Sequence, residues 1–318
     1  MNSIQTQDES AFTVLVERHR RELQVHCYRM LGSFEESEDH VQETFLRAWR
    51  RRETYEARST IRAWLYRIAT NACLDTLSTR QRPARLSPGE VPWLEPYPDR
   101  LLDEAAARGD EPEAVVVARE TIELAFMVAI QHLPPRQRAV LILRDVLGWP
   151  ASDTASVLDV SVAAANSALQ RARVTLKQEL PERRLEWAPP AQQTADERAL
   201  VQRYIDASER NDAQALVALL HEDARFSMPP EPGLYVGRET IRAFWTEGGL
   251  GSDAFGDIRC IVTSANRQPA VANYQRPPGG SEFRPLALDV LRIEDGALID
   301  VVAFGPSVFP SFELPATP

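Results

Sequence analysis

The sequence predicts a multidomain chain in which two all-α helical blocks precede an α+β domain. Three observations carry that reading. Apolar residues recur at helical spacing through residues 10–82 and again through residues 118–180. Between those blocks "RPARLSPGEVPWLEPYPDR…RGDEPE" turns to Pro, Gly and acid, the composition of a linker. From about Thr194 onwards, one or two helices give way to strand-like alternation, which indicates α+β.

The first block, 10–82, reads as three helices. "AFTVLVERHRRELQVHCYRMLG" closes on Gly32, a residue that takes the left-handed C-cap without strain. "SFEESEDHVQETFLRAWRRR" opens on Ser33 with Glu36 three residues on, a capping-box pattern. Val41, Phe45, Leu46 and Trp49 make its apolar face, and Glu38, Asp39, Gln42, Glu43 and Arg47 line the rest. Alone, that pattern describes a solvated amphipathic helix. The third helix lies within "RSTIRAWLYRIATNACLDTLSTRQR", where Ile61, Trp64, Leu65, Ile68 and Ala72 form a stripe expected to be buried. Asn71 and Asp75 border the stripe one turn apart, and both are poor helix formers.

Residues 83–117 are the acidic linker, and residues 118–180 the second helical block. There a helix ends near Gly148, a short one spans Ala151–Leu158, "DVS" makes a turn, and another helix runs from about Val162 to Leu180 with Ser161 as N-cap. Two helices about a tight turn make a helix-turn-helix. At ~100° per residue, Val162, Ala165, Leu169, Ala172 and Leu176 share one face of the last helix. Asn166, Ser167, Gln170 and Arg171 fall on the other, with Lys177 close by. Asn and Gln can bond adenine edges, Arg guanine, and Ser phosphate. An ordinary two-helix corner with a solvated polar face satisfies the pattern equally well. Residues 181–193 form a second, Pro-containing linker before the last domain, 194–312. Its strand-like segments are "DARFSMP", "RCIVTSANR", "AVANYQR" and "RPLALDVLRIEDGALIDVVAF", the last a hairpin turning at Asp295-Gly296.

Composition narrows the function classes. Cys27, Cys73 and Cys260 are few, odd in number and far apart, which argues against a disulfide framework and for a reducing cytoplasm. No apolar run approaches membrane-span length, and "MNSIQTQDESAF" has no basic-then-apolar signal segment. No Cys/His cluster has zinc spacing, and no phosphate-loop, dinucleotide or hydrolase motif is present, so no metal, cofactor or catalytic residue is expected. Net charge is −10, but it is patterned. From Thr44 to Arg85 ten Arg face three acids; from Leu86 to Leu124 three Arg face ten acids. Polyanion binding responds to local charge within a Debye length of ~8 Å.

Together these pieces resemble the extracytoplasmic-function sigma factors of bacterial RNA polymerase. "EDHVQETFLRAW" resembles their core-polymerase-binding helix, and "WLYRIATNACLD" their minus-ten helix. "LPPRQRAVLILRDVLGWPASDTASVLDVSVAAANSALQRARVTL" resembles their minus-thirty-five domain, in the right order and separation. The resemblance implies a sigma factor that directs core RNA polymerase to promoter DNA, acts in the cytoplasm and performs no catalysis. Residues 10–82 would be sigma region 2, touching polymerase through Asp39, Gln42, Glu43, Leu46 and Trp49. Tyr55, Arg58, Arg62, Asn71, Asp75, Arg80 and Arg82 would serve the minus-ten element. In the family the position of Asn71 borders the pocket for a flipped base, that of Tyr55 lines it, and the Arg block would hold single-stranded backbone. Asp75 has two readings, tuning which base is accepted or capping a neighbour. Residues 118–180 would be sigma region 4, reading the minus-thirty-five duplex with Asn166, Ser167, Gln170, Arg171 and Lys177, while the acidic linker threads across the polymerase surface.

Three departures stand out. His40 occupies a position where Leu is common, which alters the surface expected to face polymerase. Asn166 replaces a frequent Lys or Arg, removing a phosphate or guanine contact and weakening nonspecific binding. Asp159 takes the turn position usually given to Gly. The tail resembles the SnoaL-like cones through "RYIDASERNDAQALVALLHEDARFSMPPEPGLYVGRETIRAFW" and "LALDVLRIEDGALIDVVAF". Sigma factors bearing such an extension use it for regulation, and the likeness is strongest to the actinobacterial SigG-like branch. Asp206, His221, Tyr235, Trp245 and Asp289 are the residues placed to face a cone's cavity; a solvent-facing Asp289 and a helix-ending His221 are the plainer alternatives. Structural or autoinhibitory docking ranks ahead of ligand sensing, and catalysis last. An anti-sigma factor and a small-molecule ligand of the tail stay open as partners. The competing reading is a stand-alone helix-turn-helix DNA-binding regulator with a ligand-binding cone, which leaves the first block unexplained.

Overall fold

The computed structural model of the 318-residue chain describes residues 9–55, 60–80, 91–107, 123–179 and 194–318. Two compact units result: one gathers the helical blocks, the other the tail together with the stretch Val91–Asp99. The helical unit begins with α1 (Glu9–Glu17), α2 (Arg20–Leu31), α3 (Phe34–Arg50) and α4 (Ile61–Thr79). The single first helix expected from the sequence is two. Helical periodicity continues through the break, but the backbone tightens there: His19 N donates to Val16 O, three residues back, at 3.0 Å, and His19 departs from ideal helical values at φ −93°, ψ −2° before α2 begins. Gly32 closes α2 with φ 82°, its N–H reaching Tyr28 O at 2.8 Å. Ser33 Oγ accepts from Glu36 N at 3.1 Å, while the Glu36 carboxylate turns to Arg80, so half of the capping box forms.

Within α4, Leu65, Ile68 and Ala72 are buried as expected, whereas Ile61 and Trp64 are only half-buried. Part of the expected linker is ordered as α5 (Asp99–Ala107). The second block contains α6 (Leu124–Gln131), α7 (Pro135–Leu141) running into a π-helical turn Ile142–Val146, α8 (Ala151–Leu158) and α9 (Val162–Glu179). Ser161 caps α9, Oγ accepting from Ala164 N at 3.1 Å, and α8 and α9 form the helix-turn-helix. Its turn demands a left-handed residue, and Asp159 sits there at φ 52°, ψ 52°. Gly takes that conformation without the Cβ penalty, so Asp159→Gly is expected to stabilise the helical unit by about 0.5–1 kcal/mol. Thermal unfolding checks this; a lowered Tm would mean the Asp side chain makes a compensating contact.

The tail unit follows with α10 (Ala195–Glu209), α11 (Ala213–Ala218), β1 (Leu220–Ser227), β2 (Leu234–Val236) and α12 (Arg238–Glu247). Then come β3 (Asp257–Ala265), β4 (Gln268–Arg276), β5 (Arg284–Glu294) and β6 (Ala297–Phe304). The sheet order is β2-β1-β6-β5-β4-β3; β1 and β6 are parallel and the other pairs antiparallel. The β3–β4 and β5–β6 hairpins turn on two positive-φ residues each, Asn266-Arg267 and Asp295-Gly296, the geometry that matches strand twist. The core lies between the helices and one sheet face, with Leu200, Leu216, Phe226, Ile241, Leu291 and Val301 packed together.

The stretch Val91–Asp99 belongs to this unit through hydrogen bonds to the β3–β4 turn, one between backbone groups and two from a backbone N–H to a side chain. Tyr97 N donates to Asn266 Oδ1 at 2.7 Å, Asn266 N to Tyr97 O at 3.0 Å, and Arg267 N to Asp99 Oδ1 at 2.8 Å.

Candidate nucleic-acid interface

On α3 the expected polymerase contacts are spread along one side. Asp39, Gln42 and Leu46 are exposed, and Leu46, an apolar side chain, is 52% exposed. Glu43 is half-buried and accepts from Arg47 Nε at 2.7 Å. Trp49 turns inward, edge-on to Phe12 at 5.3 Å, with the Arg52 guanidinium 4.1 Å over its ring. His40 also turns toward the helical core, its Nε2 meeting Thr76 Oγ1 of α4 at 2.9 Å.

The outer edge of α4 presents Arg67, Asn71 and Asp75, all exposed. Asn71 is seven residues from Trp64, about two turns on the same side of the helix. Trp64 in turn pairs with Tyr55, ring centroids 5.3 Å apart. An aromatic pair, an amide and an acid therefore follow one another along a single edge. Sequence periodicity assigned Trp64 to the buried stripe; its half-exposure adds an aromatic surface beside Tyr55. Asp75 Oδ2 accepts from Arg47 Nη1 at 3.0 Å, which ties it to α3.

Arg62 and Arg80 are drawn inward. Arg62 Nε donates to Glu22 Oε2 at 2.7 Å with its guanidinium 5.3 Å from the Tyr66 ring, and Arg80 pairs with Glu36. Burial works against ionisation of Glu22, yet His19 and Arg62 together hold its carboxyl below the usual range. Arg58 and Arg82 lie outside the described residues.

On α9 the expected apolar face is buried in its middle: Ala165, Leu169 and Ala172 are buried, whereas Leu176 is half-buried and Val162, in the first turn, is exposed. Asn166, Ser167, Gln170, Arg171 and Lys177 are all exposed on the outer side. Nearby, Arg173 is held by Asp145 through bonds of 2.8 and 2.7 Å, which orients the helix against the π-helical turn.

In the tail, Trp245 and Asp289 line a cavity, whereas Asp206 and His221 are exposed and do not. Asp206 accepts from Gln202, and the His221 ring accepts from Asp223 N. Tyr235 stacks on Phe244 at 4.1 Å behind the cavity wall. The solvent-facing alternative for Asp289 is corrected: strand pairing opposite Val271 and Ala303 turns it into the unit. His221 lies in β1 and does not end a helix.

Residues 15–83 match the Sigma-70 region 2 family, 123–176 the Sigma-70 region 4 family and 201–301 the SnoaL-like domain family. The chain is 41% identical to the ECF RNA polymerase sigma factor SigG of Mycobacterium tuberculosis strain H37Rv, over 96% of this chain and 84% of that protein. It is 29% identical to the ECF sigma factor SigW of Bacillus subtilis strain 168, over 54% of this chain and 90% of that protein. Its fold is similar to the crystal structure of the extracytoplasmic function sigma factor SigJ of Mycobacterium tuberculosis. That match has a TM-score of 0.62 at 24% identity and covers 96% of this chain and 99% of that one. Two sigma regions in order, a SnoaL-like domain after them and a near full-length relative converge on one conclusion: the chain belongs to the extracytoplasmic-function sigma factors of RNA polymerase, of the kind that carries a SnoaL-like domain.

Proposed function

We propose a division of labour among the named residues of this sigma factor. Residues 10–82 bind core polymerase through Asp39, Gln42, Glu43, Leu46 and Trp49, and open the minus-ten element through the α4 edge. Residues 118–180 hold the minus-thirty-five duplex through Asn166, Ser167, Gln170, Arg171 and Lys177. The observation that carries this reading is the α4 edge, where the Tyr55–Trp64 pair precedes the exposed Asn71 amide. An aromatic surface supports an unstacked base, and an amide answers its Watson–Crick edge. Arg62 and Arg80, whose charges are met by Glu22 and Glu36, serve DNA indirectly, by shaping the edge. The acidic stretch 83–117 passes over polymerase, the protein works in the cytoplasm, and the tail modulates without catalysing a reaction.

Asn71→Ala is expected to lower the yield of open complex by about tenfold, the value of one lost base contact, while leaving the affinity for core polymerase unchanged. Permanganate reactivity of the melted minus-ten thymines measures the first, and fluorescence anisotropy the second. An unchanged open-complex yield removes Asn71 as a reader. In the same assay Arg171→Ala should weaken the cognate upstream element by about 1–3 kcal/mol relative to a scrambled one. Equal losses on both would leave Arg171 as a phosphate contact alone.

A further inference from the structure

The cavity of the tail unit has a volume of about 410 Å³. Phe226, Phe244, Trp245 and Phe255 supply aromatic walls, with Leu250 and Leu286 among the aliphatic ones. No Lys, Arg or His lines it among the described residues. Against that apolar lining stands one connected polar group. Tyr204 Oη donates to Asp289 Oδ2 at 2.8 Å, and Asn273 Nδ2 donates to the same oxygen at 2.6 Å. Asn273 Oδ1 in turn accepts from Cys260 Sγ at 3.3 Å, which fixes the amide's orientation. Both protein donors are thus spent on Oδ2, and among the described residues none bonds Oδ1 of Asp289, which lines the cavity. The charged groups around it are few. Tyr204 on α10 and Cys260 on β3 both have pKa values raised by burial and stay neutral, and Glu231 at the cavity wall adds a second acid. A buried carboxylate that lines a cavity walled by aromatic rings, with no counter-cation against it among the described residues, is the environment that an ammonium group stabilises by charge pairing and cation–π attraction. The same lining repels carboxylates and phosphates.

We propose that this cavity binds an organic cation, an ammonium group on a compact apolar body, with the charge seated between Asp289 and the aromatic walls. The tail unit then carries a ligand site of its own, separate from the two DNA-facing helix edges. Its ionisable anchor also sets a pH dependence. Burial pushes the Asp289 carboxyl up to about 6, with the bonds from Tyr204 and Asn273 limiting the rise. An ammonium ligand needs the ionised form, so its affinity should fall as pH drops below about 6. A neutral carbonyl ligand accepting from the protonated acid would show the opposite slope.

The test uses the full chain and three probes on one skeleton: adamantylamine, adamantanol and adamantanecarboxylate, titrated calorimetrically across a pH series. The amine is expected to bind at least about tenfold tighter than the carboxylate near neutral pH, and to weaken on acidification. Asp289→Asn keeps the size and an acceptor for Tyr204 but removes the charge, and should bring the amine's affinity down to that of the alcohol. Ala287→Leu, which adds bulk to the lining, should weaken all three. Should Asp289→Asn fail to fold, as judged by circular dichroism, the pH slope of the unsubstituted chain still decides the matter. Carboxylate binding as tight as amine binding, amine affinity that rises on acidification, or no binding of any probe would overturn the proposal.

Discussion

Arg138→Ala is expected to cost the helical unit about 3–5 kcal/mol, because a buried charge-assisted network loses its donor. Arg138 is fully buried on α7. Its Nη1 donates to Met30 O and to Gln131 Oε1; its Nη2 donates to Gln131 O at 2.8 Å and Leu133 O at 3.1 Å. Gln131 Nε2 reaches Arg29 O at 3.0 Å. The guanidinium and the amide therefore satisfy the last carbonyls of α2, where the helix dipole is negative, and join region 2 to region 4 within one unit. Alanine strands those acceptors and leaves a void. Arg138→Lys should recover little, since one ammonium cannot cover acceptors spread around a planar fork. Urea unfolding with hydrogen exchange read at α2 and α7 measures the effect. Protection should fall in both helices together; a change below about 0.5 kcal/mol would show that the network is dispensable.

The second large effect is a divergence of the two units with pH. His26 is buried against the Tyr66 ring, centroids 4.9 Å apart, with Nε2 and Thr70 Oγ1 at 2.8 Å. Burial, aided by the neighbouring Arg29 charge, lowers its pKa from 6.5 to about 3. Below the first value the unfolded chain takes a proton that the folded chain refuses until the second. Stability of the helical unit therefore falls through that window, by about 3 kcal/mol at a pH near 4. Glu22, whose carboxyl is held below its usual range, adds a loss of the same sign. Asp289 works in reverse. Folded, it takes its proton near 6, whereas the unfolded carboxyl waits until near 3.8, so the tail unit gains stability as pH falls between those values. Buried Asp300, also raised, contributes in the same direction. Scanning calorimetry across pH should show one transition moving down and the other up. Two transitions that fall in parallel would contradict these assignments, and Asp289→Asn should flatten the upward one.

Features set by a few consecutive residues were legible in the sequence. Gly32, Ser33, Ser161 and Asp295-Gly296 mark the ends they were expected to mark, because caps and two-residue turns depend on local φ and on a side chain one turn away. Features set by distant partners were not. The Glu36 carboxylate leaves its capping box for Arg80, 44 residues away. Val91–Asp99 reads as linker, yet its bonds go to a turn 168 and 169 residues further on. Asp289 sits in the run "LALDVLRI", where apolar residues on both faces leave its direction undecided until strand register is known. Of the minus-ten candidates, Asn71 and Asp75 stand exposed as a polar edge should, while Arg62 and Arg80 turn to acids from other helices, which no spacing rule reveals.

As a sigma factor, the chain programmes core polymerase for promoter-specific initiation. Run-off transcription tests it most directly, with core polymerase, the full chain and a template selected from bound promoters. A truncation ending near Pro190 run alongside gives the sign of the tail's influence. The expected result is a discrete transcript that depends on the added protein. No transcript from either form, with duplex DNA still bound by the full chain alone, would contradict the sigma reading and point to a stand-alone DNA-binding regulator.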